Sequence, residues 1–112
     1  MEKLEALKQR LRQFTAERDW QRYHTPKNVS TALIVEAAEL VENFQWLTPE
    51  ESMHLTPEQH WAVEEEVADV FIYLVRLSDI LEIDLFDAAD RKIDRNAEKY
   101  PVEKVRGNFI KR

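Results

Sequence analysis

Two pairs of acids, Glu36-x-x-Glu39 and Glu66-x-x-Asp69, each lie inside an apolar stretch of the chain. The first sits in Leu33-Ile-Val-Glu-Ala-Ala-Glu-Leu40 and the second opens Glu66-Val-Ala-Asp-Val-Phe-Ile-Tyr-Leu-Val75. A carboxylate in such surroundings is costly unless a cation meets it. Little Lys or Arg lies near either pair. Three or four carboxylate arms are hard oxygen ligands that suit Mg²⁺ or Mn²⁺. The expected chemistry is that of a divalent-metal site.

Helical spacing gives both pairs the same layout. Positions i, i+3, i+7 and i+10 share one face of a helix. From Glu36 that face reads Glu39, Asn43 and Trp46, flanked by Ala32, Leu33 and Leu40. From Glu66 it reads Asp69, Tyr73 and Arg76, flanked by Val63, Val70 and Leu77. Packed antiparallel, the two helices bring the acid pairs together across a shared seam. A lone E-x-x-E is usually a solvated face, and 22 of 112 residues here are acidic. The apolar setting carries the signal. Val67, Phe71, Leu74 and Val75 make the second helix apolar on nearly every side, so it is expected to be buried all round.

A di-iron carboxylate bundle needs two Glu-x-x-His motifs. The chain has one match, Glu51-Ser-Met-His54, in the connection between helices, and His24 and His60 lack a Glu at that offset. That chemistry is set aside.

The aromatic and basic residues supply candidate partners for the acids. Trp20, His24, Lys27 and Asn28 cluster around the first loop, while Trp46 and Tyr73 extend the acidic faces. Rings at a pocket edge can stack on a nucleobase, although Trp and Tyr are more often core or interface residues. Lys92, Asn96 and Lys99 fall on one helix face, where Lys is a point-charge phosphate binder. By itself such a face is simply solvated.

Four main helices must position these groups. Leu4, Leu7, Leu11 and Phe14 predict an amphipathic helix over roughly residues 2–19. Pro26 ends the break that follows, and Asn28 or Ser30 can cap a second helix reaching about Trp46. Thr48-Pro-Glu-Glu51 and Thr56-Pro-Glu-Gln59 both carry the capping-box pattern. The first opens a short turn and the second a long helix reaching about Leu81. Asp84 can cap a fourth helix that stops near Tyr100-Pro101, followed by a polar tail to Arg112. No linker divides the chain, so residues 1–112 are read as one all-α domain, a bundle of four to five helices.

Composition narrows the partners. A net charge of −6 argues against electrostatic nucleic-acid binding. No run is apolar enough for a membrane span. The chain has no Cys, which excludes thiolate sites and fits a cytoplasmic protein. Its 44% apolar content leaves surface for burial between subunits.

Taken together the residues resemble the MazG-like all-α nucleoside triphosphate pyrophosphohydrolases, most closely their dCTP pyrophosphatase branch. The likeness rests on Glu36/Glu39 with Glu66/Asp69, on Glu17-Arg-Asp-Trp20, His24-x-Pro-Lys-Asn28 and Phe44-Gln-Trp46, and on Asn96-x-x-Lys99-Tyr-Pro101. It covers nearly the whole chain, and Val35 before Glu36 replaces an acid common in other relatives. The resemblance implies hydrolysis of a (deoxy)nucleoside triphosphate to monophosphate and pyrophosphate, with dCTP or a modified dCTP first and dATP or dUTP next, in nucleotide-pool housecleaning. It implies Mg²⁺ held by Glu36, Glu39, Glu66 and Asp69 as the catalytic set. It assigns base and sugar to Trp20, His24, Asn28, Trp46 and Tyr73, and phosphates to Lys27, Lys92, Asn96 and Lys99. It also implies a homotetramer built as a dimer of dimers. Two rivals remain: a non-catalytic helical interaction module, and a metal-dependent hydrolase of another phosphorylated ligand.

Overall fold

Cap chemistry sets the helix boundaries in the computed structural model, which describes residues 2–107. Helix α1 spans Glu2–Glu17 and ends where Asp19 takes a left-handed φ of 54°. Helix α2 spans Pro26–Glu42. Its N-cap is Thr25, held extended ahead of Pro26, whose Oγ1 accepts the Asn28 N–H at 3.2 Å. The cap thus falls earlier than the expected Asn28 or Ser30. Short α3, Pro49–Ser52, and long α4, Pro57–Ile80, both open with complete capping boxes. Thr48 and Glu51 exchange two hydrogen bonds, as do Thr56 and Gln59.

The α2 helix stops short of the expected Trp46. The Asn43 amide turns back to donate to the Glu39 and Leu40 carbonyls, at 3.1 and 3.4 Å, and turns follow. A side chain that satisfies terminal carbonyls competes with helix continuation. The strip drawn through Glu36, Glu39, Asn43 and Trp46 is therefore broken before Trp46.

The chain forms two compact units, one running through Glu82 and one starting at Ile83. In the first, α2 packs mainly against α4, and α1 lies against α4 more lightly. Val29 of α2 and Val75 of α4 are fully buried. The buried hydroxyls of Thr15 and Ser78 donate to carbonyls within their own helices. Arg12 ties α1 to α4 by donating to both Asp79 oxygens, at 2.8 and 2.6 Å. Within this single chain α4 is not buried all round. Val67, Phe71 and Leu74 are exposed, as are Ile34 and Val35 of α2. Periodicity reports an apolar surface without saying what covers it.

In the second unit α5, Leu85–Lys99, is capped by Asp84, whose side chain accepts the Asp87 N–H at 3.1 Å. A further turn, α6, spans Val102–Val105, where only a polar tail was expected. Residues 108–112 of that tail lie outside the described residues. Among the described residues every regular element is helical.

Candidate functional site

One turn of α2 and one turn of α4 supply the acid cluster. Glu36 and Glu39 lie one turn apart on α2, and Glu66 faces them from α4. One carboxylate oxygen from each of the three lies within 4.8 Å of the others. Glu36 Oε2 and Glu66 Oε2 are shut off from solvent and have no hydrogen-bond partner. None of the ion pairs among the described residues reaches these acids.

Such crowding resists ionisation. Glu36 is pushed up from 4.5 to about 7. The largest cause is the Glu39 carboxylate, with which Glu36 can share a proton; burial comes next, then the charges of Glu39, Asp69 and Glu66. Glu66 is raised too, first by burial and then by Glu39 and Asp69. The cluster passes the test for a hard divalent cation: clustered oxygens, two of them orphaned, and no protein cation to balance them. Asp69 stands outside the closest triplet and lines a neighbouring cavity instead.

That cavity holds about 510 Å³ within the first unit. Leu7, Leu11 and Phe14 of α1 form one wall, and Asp69, Tyr73 and Arg76 of α4 form another. Trp20 and His24 come from the intervening loop. Phe14 meets Trp20 edge-on with ring centroids 5.8 Å apart, which fixes the aromatic corner. Tyr73 is raised above its usual range by burial and then by Glu36 and Asp69. The cavity is mostly apolar with a few convergent polar groups, the usual composition of a small-molecule pocket.

The cavity therefore gathers Trp20, His24, Tyr73 and Asp69, but not every expected binding residue. The Asn28 amide donates to the Tyr23 carbonyl at 2.9 Å, which braces the loop. Trp46 is 87% exposed and lines no part of this cavity. The Lys27 carbonyl accepts from Ser30 and Thr31, and its side chain is not in the cavity wall. Lys92, Asn96 and Lys99 lie on α5 in the second unit, with Lys99 Nζ 5.6 Å from the Tyr100 ring centre. The Glu51-x-x-His54 match is occupied structurally, because Glu51 caps α3.

Sequence reasoning missed the polar floor of the cavity. Arg76 Nε donates to His24 Nδ1 at 3.2 Å, and Arg76 Nη1 lies 3.6 Å from Asp79 Oδ2. The sequence places Arg76 on the acidic face but gives it no role, and its i, i+3 spacing to Asp79 is the available signal. The Arg12–Asp79 pair, 67 residues apart in sequence, left no local signal.

A model of the MazG-like family matches residues 32–109. The mouse protein named dCTP pyrophosphatase 1 is 40% identical over 110 residues, which is 96% of this chain and 65% of that protein. The human protein of the same name is 39% identical with the same coverage. The chain thus spans about two thirds of the length of the curated relatives it matches. A solved pyrophosphatase from Archaeoglobus fulgidus DSM 4304 is 44% identical and superposes with a TM-score of 0.82, over 87% of this chain and 91% of that one.

Proposed function

The chain belongs to the MazG-like family, and from that premise we propose that it hydrolyses a deoxynucleoside triphosphate, dCTP first, to the monophosphate and pyrophosphate. The observation that carries this reading is the carboxylate triplet with two orphaned oxygens beside an aromatic cavity. Glu36, Glu39 and Glu66 would hold Mg²⁺, with Asp69 at the margin, and the ion would neutralise phosphate charge and acidify a water. One of the cluster carboxylates, or Glu65 next to Glu66 in sequence, would orient a water toward the α-phosphorus. Trp20, His24 and Tyr73 enclose base and sugar. Lys27 is assigned to the phosphate tail.

The exposed apolar residues of α2 and α4 support a second element of the proposal, a homo-oligomer built as a dimer of dimers. Asn28 and Trp46 then act from another copy or by bracing the loop. The cellular role is removal of surplus or modified nucleotides in the cytoplasm.

Purified protein incubated with dNTPs and Mg²⁺ tests the reaction. Pyrophosphate and dCMP are the expected products. Orthophosphate release, or no turnover, sinks the proposed chemistry.

A further inference from the structure

The cavity floor carries more positive charge than its fold requires. Asp79 already has a full partner in Arg12, whose two bonds at 2.8 and 2.6 Å form a bidentate pair. Arg76 approaches the same carboxylate only to 3.6 Å, beyond hydrogen-bond range. Its Nε–H is taken by His24 Nδ1, and its Nη2 meets no acceptor among the described residues. The Arg76 side chain is only 11% exposed. A guanidinium held this far from water, with donors to spare, calls for an acceptor from outside the chain.

The neighbours decide which acceptor. The cavity that Arg76 lines is otherwise walled largely by the apolar and aromatic surface of Leu7, Leu11, Phe14, Trp20 and Ile72, with Arg10 as a second cation in its lining. That surface suits a ring edge and would strip water from a phosphate without replacing it. Glu66 and Arg76 sit ten residues apart on α4, roughly 15 Å of helix rise. If the phosphates lie at the acids, the opposite end of a nucleotide lies at Arg76.

His24 adds a second donor. Because Nδ1 accepts from Arg76, the neutral ring carries its proton on Nε2. Burial, and then Arg76, lower the His24 pKa and keep the ring neutral. The floor thus offers donors and favours an edge with adjacent acceptors. Cytosine presents N3 and O2 side by side. Uracil and thymine present an N3–H there, which opposes donor with donor.

We infer that Arg76, aimed by His24 and Asp79, is a specificity-determining residue that reads the N3/O2 edge of a cytosine base. This rests on the proposed nucleotide reading of the same cavity. Two measurements separate the two ideas. The first is kcat/KM for dCTP, dUTP, dTTP and dGTP in the wild type, Arg76→Met and Arg76→Lys. The second is calorimetric binding of dCMP and dUMP, which needs no turnover.

The expected result is a dCTP over dUTP preference that falls by about 10- to 100-fold in Arg76→Met. Arg76→Lys keeps the charge but loses the planar fork, and is expected to lose most of that preference. The Arg12–Asp79 bond survives both changes, and Arg76→Lys alone decides the matter if Arg76→Met does not fold. An unchanged preference in a folded variant overturns the inference. So does an equal loss for all four nucleotides, a wild type with no dCTP preference, or dGTP as the best substrate. If no nucleotide is hydrolysed, the proposed reaction fails; Arg76-dependent dCMP binding then still supports the inference, and its absence overturns it.

Discussion

Helix α4 carries two charged regions built on opposite rules. Around Glu66, three carboxylates meet with no cation among the described residues to balance them. Around Asp79, one carboxylate meets two guanidiniums, and the chain balances its own charge with one cation over. A region that completes its own charge pairing can act as scaffold. One that leaves charge unbalanced in partial burial depends on something that is not chain. The two lie about three and a half helical turns apart.

Glu66→Gln and Glu36→Gln test the unbalanced side and carry the largest expected effect. Pyrophosphate release should fall by on the order of a thousandfold, since metal-based charge stabilisation is worth several kcal/mol. Metal-free thermal stability should stay level or rise, because the change relieves like-charge crowding. Retained turnover would remove the cluster from the chemistry. A non-catalytic helical module predicts the same stability change with no Mg²⁺ effect in the wild type; Mg²⁺-dependent stabilisation by nucleotide rules it out.

Asp79→Asn tests the balanced side and should act on stability with the opposite sign. Loss of the carboxylate that pairs with Arg12 and lies beside Arg76 should cost about 1–2 kcal/mol in urea unfolding. The figure is kept below that of a fully buried pair because the Arg12 side chain is 48% exposed. An Asn variant as stable as the wild type would collapse the contrast.

Smaller still is a pH effect, with a definite sign. The folded state holds the Glu36 proton up to about pH 7, whereas the unfolded chain releases it near 4.5. Between those values the folded state binds more protons, so metal-free stability declines as pH rises. Mg²⁺ should flatten or reverse that slope, because it competes with the proton for the same oxygens. Thermal melts from pH 4.5 to 8, with and without Mg²⁺, read it directly; a metal-free slope rising with pH contradicts it.

The caps were legible in sequence because they are local. Thr48 and Thr56, each followed by Pro, locate the starts of α3 and α4 within four residues of chain. The acid cluster was legible for a related reason: i, i+3 spacing survives any packing arrangement that brings α2 and α4 together. Competing side-chain uses were not. Asn43 bonds back to carbonyls and ends α2 early, and Asn28 braces the Tyr23 carbonyl. Nor was Arg12–Asp79, since a pair so distant in sequence exists only once α1 has docked. The apolar side of α4 was visible, but a single chain leaves Val67, Phe71 and Leu74 bare.

The attachment of α1 has its own consequence. This helix walls the cavity with Leu7, Leu11 and Phe14, yet it buries little of itself beyond Leu4 and Thr15, and Phe14 is 44% exposed. Its strongest tie to α4 is ionic and half open to water. A hydrophobic wall would grip harder in concentrated salt, whereas an ionic hinge-pin is loosened by it. The cavity should therefore breathe more at high ionic strength, with faster amide exchange along α1 and shorter ligand residence while α2 and α4 stay closed.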